Sequence, residues 1–165
     1  MIGRLRKVLV KGPDEGLAEA AAWSEFGYNH PTDVEAAGRE HDGLVKLLQD
    51  AGVVVYHGQE PQPQRLDSIF VFDPVLVTNA RVIVGRMDKA LRQGEESLLA
   101  RALTRLGVSI LHTLTGEATL EGGDVLWLDP DTLIIARSYR TNDGGYKRSS
   151  QDRLTRSLDL KTESS

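Results

Sequence analysis

The chain has 165 residues, of which 40% are hydrophobic and 27% are charged, and its formal net charge is −4. This composition is typical of a folded domain with a core of its own. The mild negative charge argues against nucleic acid as a partner, because the phosphate backbone is bound by clustered positive charge. Cysteine is absent, which excludes disulfides, thiolate metal sites and a cysteine nucleophile from these residues.

No apolar run approaches the roughly 20 residues of a membrane-spanning helix, so no membrane partner is predicted. The first twelve residues, MIGRLRKVLVKG, lack the apolar stretch of a secretory signal, and we therefore expect a cytoplasmic protein. The histidines have no metal-ligand spacing, and no glycine-rich loop precedes a helix. The sequence thus predicts neither a metal nor a cofactor.

Helices and short strands alternate in the predicted order of elements. A strand at 5–10 precedes a helix over 33–51, which begins at a capping box and ends at Gly52. A second helix is expected over 95–106. Strands are expected at 53–55, 69–72 and 108–111, and hairpins at 75–78 with 82–85 and at 125–128 with 133–136.

This order repeats along the chain. Residues 48–57 match residues 103–112, with a glycine at the same place between helix and strand. An acid precedes the hairpin in both units, Asp67 in the first and Glu121 in the second. Self-similarity at a fixed period predicts a repeat architecture, although a generic alternation of helices and strands would give part of the same pattern.

Two acidic motifs are candidates for chemistry. Asp67 and Asp73 bound the apolar run at 69–72, which places Asp73 near the mouth of a buried sheet, unless Asp73 with Pro74 forms a simple turn. Glu121 and Asp124 flank two glycines before a strand. Carboxylates beside such an open backbone suit a cationic ligand or a general base, whereas the alternative is a glycine bulge with solvated acids.

Two arginines are the remaining candidates. Arg92 precedes the second predicted helix, and Arg140 follows directly after the strand at 133–136. Arginine binds carboxylates with two parallel hydrogen bonds, which makes both residues candidates for an anionic group of a ligand. The alternative for each is an ordinary surface arginine.

Together, four motifs resemble the dimethylarginine dimethylaminohydrolases, within the superfamily that also contains arginine deiminase and the amidinotransferases. The motifs are DSIFVFDP at 67–74, RQGE at 92–95, LEGGDVL at 120–126 and RTN at 140–142. The resemblance implies an α/β-propeller of repeated ββαβ modules, the pentein fold. About three of its five modules are expected here, so that the propeller would be incomplete.

The resemblance also implies roles for these residues. Asp73 and Glu121 are expected to hold a substrate guanidinium, with Glu121 beside the catalytic histidine. Arg92 and Arg140 are expected to bind the substrate carboxylate. Asp67 is expected near the substrate amino end and Asp124 as a supporting acid. The implied substrate is arginine or a methylated arginine.

The covalent machinery of the resembled family is missing from the sequence. The family uses a cysteine nucleophile near its C-terminus, paired with a histidine from a later module, but this chain has no cysteine and no histidine after His112. We therefore expect a truncated hydrolase without turnover. The alternatives are a non-catalytic binding module or pseudoenzyme of the same fold, and an amidinotransferase.

Two segments are predicted, a partial propeller over 1–145 and a tail over 146–165. The tail is polar and is expected to be disordered, or to be the product of a shifted reading frame. Missing modules would leave apolar faces uncovered, so a homo-oligomer or a complementing chain is the expected partner.

Overall fold

The computed structural model describes residues 3–13, 23–58, 65–78, 81–129, 132–150 and 156–161. These residues fall into two compact units that are divided between Val71 and Phe72. Their strands form three separate sheets, one of two strands and two of three strands, rather than one continuous sheet. The fold is therefore mixed α/β.

The unit from Arg4 to Val71 contains a strand, a helix and a parallel strand. These are β1 (Lys7–Val10), α1 (Val34–Asp50) and β2 (Val54–His57). The Asp33 side chain accepts a hydrogen bond from the Ala36 N–H at 2.9 Å, so the predicted cap begins the helix. Gly52 follows α1 with φ +77°, which confirms its role as the residue that ends the helix.

The strand predicted at 69–72 is wrong. The structure has a 3-10 helix over Leu66–Ile69, followed by a turn. The Phe70 N–H donates to the Asp67 carbonyl and the Val71 N–H to the Ile69 carbonyl, so the backbone bonds locally instead of pairing with another strand. Phe70 is half exposed, which shows that an apolar run alone does not place a segment inside a sheet.

The second unit, from Phe72 onward, contains two three-stranded sheets, and the elements of both sheets follow the same order along the chain. The first sheet consists of β3 (Val75–Val77), β4 (Arg81–Val84) and β5 (Ser109–Thr113), and α2 (Glu95–Arg105) connects β4 to β5. The second consists of β6 (Val125–Asp129), β7 (Thr132–Arg137) and β8 (Arg156–Lys161), with α3 (Asp143–Ser150) between β7 and β8 in the chain.

In each sheet an antiparallel pair of strands leads into a helix and then into a strand that lies parallel to the second member of the pair. This confirms both predicted hairpins and the helix over Glu95–Arg105. The turn residues at 79–80 and 130–131 lie outside the described residues.

The tail differs from the expected disorder where the structure describes it. Residues up to Ser150 continue α3, and Arg156–Lys161 pairs along its whole length with β7. Backbone hydrogen bonding to an existing strand needs no apolar side chains, which is why a polar composition misled the prediction. Residues 151–155 and 162–165 lie outside the described residues.

One apolar core lies under both sheets of the second unit. Its members come from both hairpins and from the segment that links them: Leu76, Ile83, Leu114, Ala118, Leu120, Val125, Leu133 and Ile135. A β-bridge between Arg86 and Leu120 ties the end of the first hairpin to the start of the second motif. Among the described residues, no helix combines the length and the apolar character needed to cross a membrane.

Candidate functional site

Two glycines bring the acidic motifs of the second unit together. The Gly122 N–H donates to the Asp73 carbonyl at 2.8 Å, and a Cβ at Gly122 would lie 2.1 Å from the Phe72 carbonyl oxygen. A Cβ at Gly123 would lie 2.6 Å from Arg140 Nη2 and 3.1 Å from Asp73 Oδ1. Only glycine permits this approach, so the Gly-Gly pair lets Asp73 and Arg140 meet the loop.

Arg92 lies buried between two carboxylates. Its Nη1 donates to Asp73 Oδ2 at 2.7 Å, and its Nη2 and Nε donate to Glu95 Oε2 at 2.8 and 3.1 Å. Burial by itself would lower the pKa of the guanidinium, but the hydrogen bonds that it donates to Glu95 and Asp73, and the negative charges of these acids, raise that pKa above its usual value. Arg92 is therefore a permanent buried cation held by two acids.

Glu121 is almost completely buried at the start of the Gly-Gly loop. Its Oε1 accepts a hydrogen bond from the Asp88 N–H at 3.0 Å, and its Oε2 lies 3.5 Å from Arg140 Nη1. Burial raises the pKa of Glu121, while the Asp88 N–H and the positive charge of Arg140 oppose that rise. The charged form of this carboxyl group is therefore costly even with Arg140 nearby, and a further cation would lower that cost.

Arg140 is the more accessible of the two arginines. Its Nη2 lies 3.7 Å from Asp124 Oδ1, and 31% of its side chain is exposed, against 6% for Arg92. Its guanidinium carbon also lies 5.9 Å from the centre of the Tyr139 ring. Its distances to carboxylates are longer than those of Arg92, so its guanidinium is held more loosely.

Two hydroxyl groups hold Asp124 against the turn that carries Arg140. Ser138 and Thr141 both donate to Asp124 Oδ2 at 2.7 Å. The Thr141 hydroxyl also accepts the Glu121 N–H at 3.3 Å, and the Ser138 hydroxyl accepts the Arg140 N–H at 2.9 Å. The turn after β7 and the Gly-Gly loop are therefore one hydrogen-bonded body.

The structure brings five of the six predicted residues into this one cluster: Asp73, Arg92, Glu121, Asp124 and Arg140. The sixth, Asp67, belongs to the other compact unit. There it is buried on the 3-10 helix and accepts a hydrogen bond from the Tyr28 hydroxyl at 3.1 Å.

A protein-family model described as "N,N dimethylarginine dimethylhydrolase, eukaryotic" matches residues 18–156. The chain belongs to this family. Membership also places it in the wider superfamily that contains arginine deiminase and the amidinotransferases, which confirms the resemblance drawn from the four motifs.

Relatives with known sequences fit this assignment. A dimethylarginine dimethylaminohydrolase from Pseudomonas aeruginosa is 26% identical over 145 residues, which cover 87% of this chain and 54% of that protein. An uncharacterized protein from Aeropyrum pernix is 32% identical over 142 residues, which cover 84% of this chain and 51% of that protein. The chain thus spans about half the length of the curated relatives it matches.

Solved structures of the same fold match nearly the whole chain. Dimethylarginine dimethylaminohydrolase from Pseudomonas aeruginosa, a cysteine-to-serine mutant complexed with citrulline, gives a TM-score of 0.80 at 22% identity, covering 99% of this chain and 63% of that one. The N-terminal domain of ArgZ, an arginine dihydrolase from cyanobacteria, gives 0.80 at 20% identity, covering 98% and 59%. At this level of identity the match establishes the fold.

Sequence reasoning missed three residues of the cluster that lies in this dimethylarginine dimethylhydrolase fold. Glu95 has no role in the sequence analysis beyond its place in the RQGE motif and at the start of a helix, yet it is buried and bonded to Arg92. Thr141 appears there only as part of the RTN motif, and Ser138 does not appear. For Glu95 the available signal was its position three residues after Arg92, since two long side chains of opposite charge at that separation can reach each other.

The cluster as a whole favours a cation. It contains four carboxylates, from Asp73, Glu95, Glu121 and Asp124, and two guanidinium groups, from Arg92 and Arg140. With all of them ionised, negative charge exceeds positive charge by two. A partly buried site with this excess suits a planar cation that offers several N–H donors.

Proposed function

We propose that this chain binds a guanidino compound at the carboxylate–arginine cluster, as the substrate-binding part of a hydrolase that acts on the guanidino carbon of arginine or methylated arginine. The observation that carries the proposal is the excess of carboxylates around Asp73 and Glu121 in one partly buried site. A guanidinium keeps its charge at every physiological pH, so its burial needs opposed carboxylates.

Each residue of the cluster has a role in this proposal. Asp73 and Glu121 bind the guanidinium of the ligand, and the cation lowers the cost of ionising Glu121. Arg140, with its loosely held guanidinium, binds the carboxylate of the ligand, while Arg92 stays bound to Asp73 and Glu95. Asp124 keeps the Arg140 turn in place.

The covalent step lies beyond the residues of this chain. In the family a thiolate attacks the guanidino carbon, an amine leaves, and water releases the product. These 165 residues contain no cysteine, so we propose that the polypeptide alone binds without turnover, as a truncated form would. A complementing chain or a second copy would have to provide further modules, and only a complementing chain could add the thiolate.

The three sheets also support a proposal about architecture. A strand–helix–strand unit and two strand–strand–helix–strand units fit about three modules of an incomplete propeller. In this arrangement each ligand-binding acid precedes the hairpin of its own module, Asp73 before β3 and Glu121 before β6.

Calorimetric titration of the purified 165-residue chain with arginine and with dimethylarginine tests the binding proposal. Asp73→Asn and Glu121→Gln should each weaken binding by roughly tenfold or more, since each removes a charge that faces the cation. Glu117→Gln, which removes an exposed carboxylate of the same unit, is the matched control and should leave the affinity unchanged.

A citrulline assay on the same sample tests the absence of turnover. Binding without citrulline is the expected result, and it would also fit a non-catalytic binding module of this family. Citrulline production would contradict the proposed inactivity, and failure of both ligands to bind would overturn the proposed function.

A further inference from the structure

Glu95 holds the Arg92 guanidinium along one whole edge. Its Oε2 accepts from Arg92 Nη2 at 2.8 Å, and both of its oxygens lie within 3.2 Å of Arg92 Nε. Glu95 itself is buried in the first turn of α2. Two hydrogen bonds to one edge fix the plane of a guanidinium as well as its position.

Arg92 in turn fixes one oxygen of Asp73. Its Nη1 donates to Asp73 Oδ2 at 2.7 Å. The other oxygen, Oδ1, accepts no hydrogen bond from the described residues and lies 3.1 Å from the Cβ position that Gly123 leaves empty. Arg140 Nη2 lies 2.6 Å from the same position. Asp73 Oδ1 therefore faces the part of the cluster where the proposed ligand would bind.

The corresponding acid of the second sheet does not make this contact. Asp143 follows Arg140 by the same three positions, at the start of α3, but it pairs with Arg137 at 2.5 Å and is largely exposed. The Arg-x-x-acid spacing thus precedes the helix of each sheet, and of these two copies only the first links an acid through a buried arginine to the carboxylate of the site.

We propose that Glu95 is a positioning residue for guanidino binding: it fixes Arg92, and Arg92 orients Asp73 so that Oδ1 faces the ligand. The ligand part of this inference rests on the proposed function. Loss of the Glu95 charge would leave Arg92 bound more strongly to Asp73 and would reduce the negative excess of the cluster, and both effects weaken the binding of a cation.

The positioning part is tested without any ligand. In a proton–nitrogen NMR spectrum, the Arg92 Nε–H should give a slowly exchanging signal, assigned by its loss in Arg92→Lys. Glu95→Gln should shift this signal and speed its exchange by roughly tenfold or more, because the charged acceptor is gone. Asp143→Asn, the matched control at the same spacing, should leave the signal unchanged. An unchanged signal in Glu95→Gln would overturn the proposal.

The ligand part is tested by titration of the same variants with arginine. Glu95→Gln should raise the Kd by roughly tenfold, and Asp143→Asn should not change it. If Glu95→Gln shifts the Arg92 signal but leaves the Kd for arginine unchanged, the proposed effect of Glu95 on ligand binding is overturned. If the unchanged chain binds no guanidino compound, the proposed function fails, while the Arg92 signal still decides the positioning role.

A second variant covers the case in which Glu95→Gln does not fold. Replacing both partners, as Arg92→Met with Glu95→Met, leaves one carboxylate, Asp73, without its cation, whereas Arg92→Met alone leaves two. The double variant should therefore melt at a higher temperature than Arg92→Met. Arginine binding should stay weak in this double variant, because nothing orients Asp73. Recovery of both stability and affinity would assign the pair a structural role alone and overturn the proposal.

Discussion

Arg92 and Arg140 occupy the same place in two sheets of the same order, between the second strand of a hairpin and the helix that follows. Arg92 is buried and held by Asp73 and Glu95 at 2.7–2.8 Å, whereas Arg140 is partly exposed, with carboxylates at 3.5 and 3.7 Å. Equivalent sequence positions have thus produced one fixed cation and one accessible cation.

The difference follows from the acid that begins each helix. Glu95 is long enough to reach back to Arg92, while the shorter, exposed Asp143 pairs with the partly exposed Arg137. Burial then separates the two arginines further, since a buried ion pair depends on its partner and an exposed one is screened by water. Arg92 and Arg140, for which the sequence motifs predict one common role, therefore differ in how much their ion pairs contribute to stability.

The largest effect is expected from Arg92→Ala. It leaves Asp73 and Glu95 without the cation that holds them, so the free energy of unfolding should fall by about 3–5 kcal/mol. Urea unfolding of the full chain measures this loss. A loss below about 1 kcal/mol, the usual value for a surface ion pair, would show that the buried pair does not contribute as the geometry indicates.

A comparable loss is expected from Gly122→Ala, because its Cβ would lie 2.1 Å from the Phe72 carbonyl oxygen and the backbone would have to move. We expect a loss of about 3 kcal/mol in urea unfolding. Gly123→Ala is the control, since its Cβ would meet the movable end of Arg140 and should cost about 1 kcal/mol. Equal losses in both variants would contradict the close approach at Gly122.

A smaller loss is expected from Thr141→Val, which keeps the shape of the buried side chain but removes its hydroxyl. The Glu121 N–H and Asp124 each lose a partner, which should cost about 1–3 kcal/mol in urea unfolding. Thr104→Val removes an exposed hydroxyl from α2 and should stay within about 0.5 kcal/mol. If Thr141→Val lowers the free energy of unfolding no more than Thr104→Val does, the Thr141 hydroxyl does not hold the turn after β7 and the Gly-Gly loop together.

The pH dependence of stability isolates Glu121. Its folded pKa is raised, chiefly by burial, so the folded chain holds this proton more tightly than the unfolded chain does. As the pH rises above about 4.3, the usual pKa of a glutamate, the unfolding free energy of the unchanged chain should fall relative to Glu121→Gln. Unfolding at pH steps across this window measures the difference, and a difference that stays constant would contradict the raised pKa.

The smallest effect on stability is expected from Arg140→Ala. Its ion pairs are long and partly exposed, so the free energy of unfolding should change by about 1 kcal/mol or less. The same variant should weaken arginine binding, because Arg140 is the accessible cation of the cluster. A stability loss as large as that of Arg92→Ala would remove the contrast between the two arginines.

Much of the local structure was predictable from the chain itself. Asp33 and Gly52 mark the two ends of α1, and the β-branched runs around them give strands, because caps and side-chain shape act within a few residues. The four motifs identified the family, and they contain the acids and arginines that the fold brings together.

The predictions of secondary structure failed where the folded structure, rather than the local sequence pattern, decides which groups the backbone bonds to. The apolar run at 69–72 is no strand because its backbone bonds locally in the structure, while the polar residues 156–161 are a strand because β7 offers them a paired edge. Neither result is encoded in periodicity, since the same residues can satisfy their backbone groups in more than one way.

The sequence by itself determined α1, α2, the hairpins and the identity of the charged residues, because these depend on near neighbours and on composition. Only the tertiary structure decided which acid meets which arginine: Arg92 is enclosed by Asp73 and Glu95, while Arg140 lies loosely beside Glu121. The physical reason is that the strength of an ion pair is set by burial and by distances of a few tenths of an ångström, and both arise only when separate segments pack.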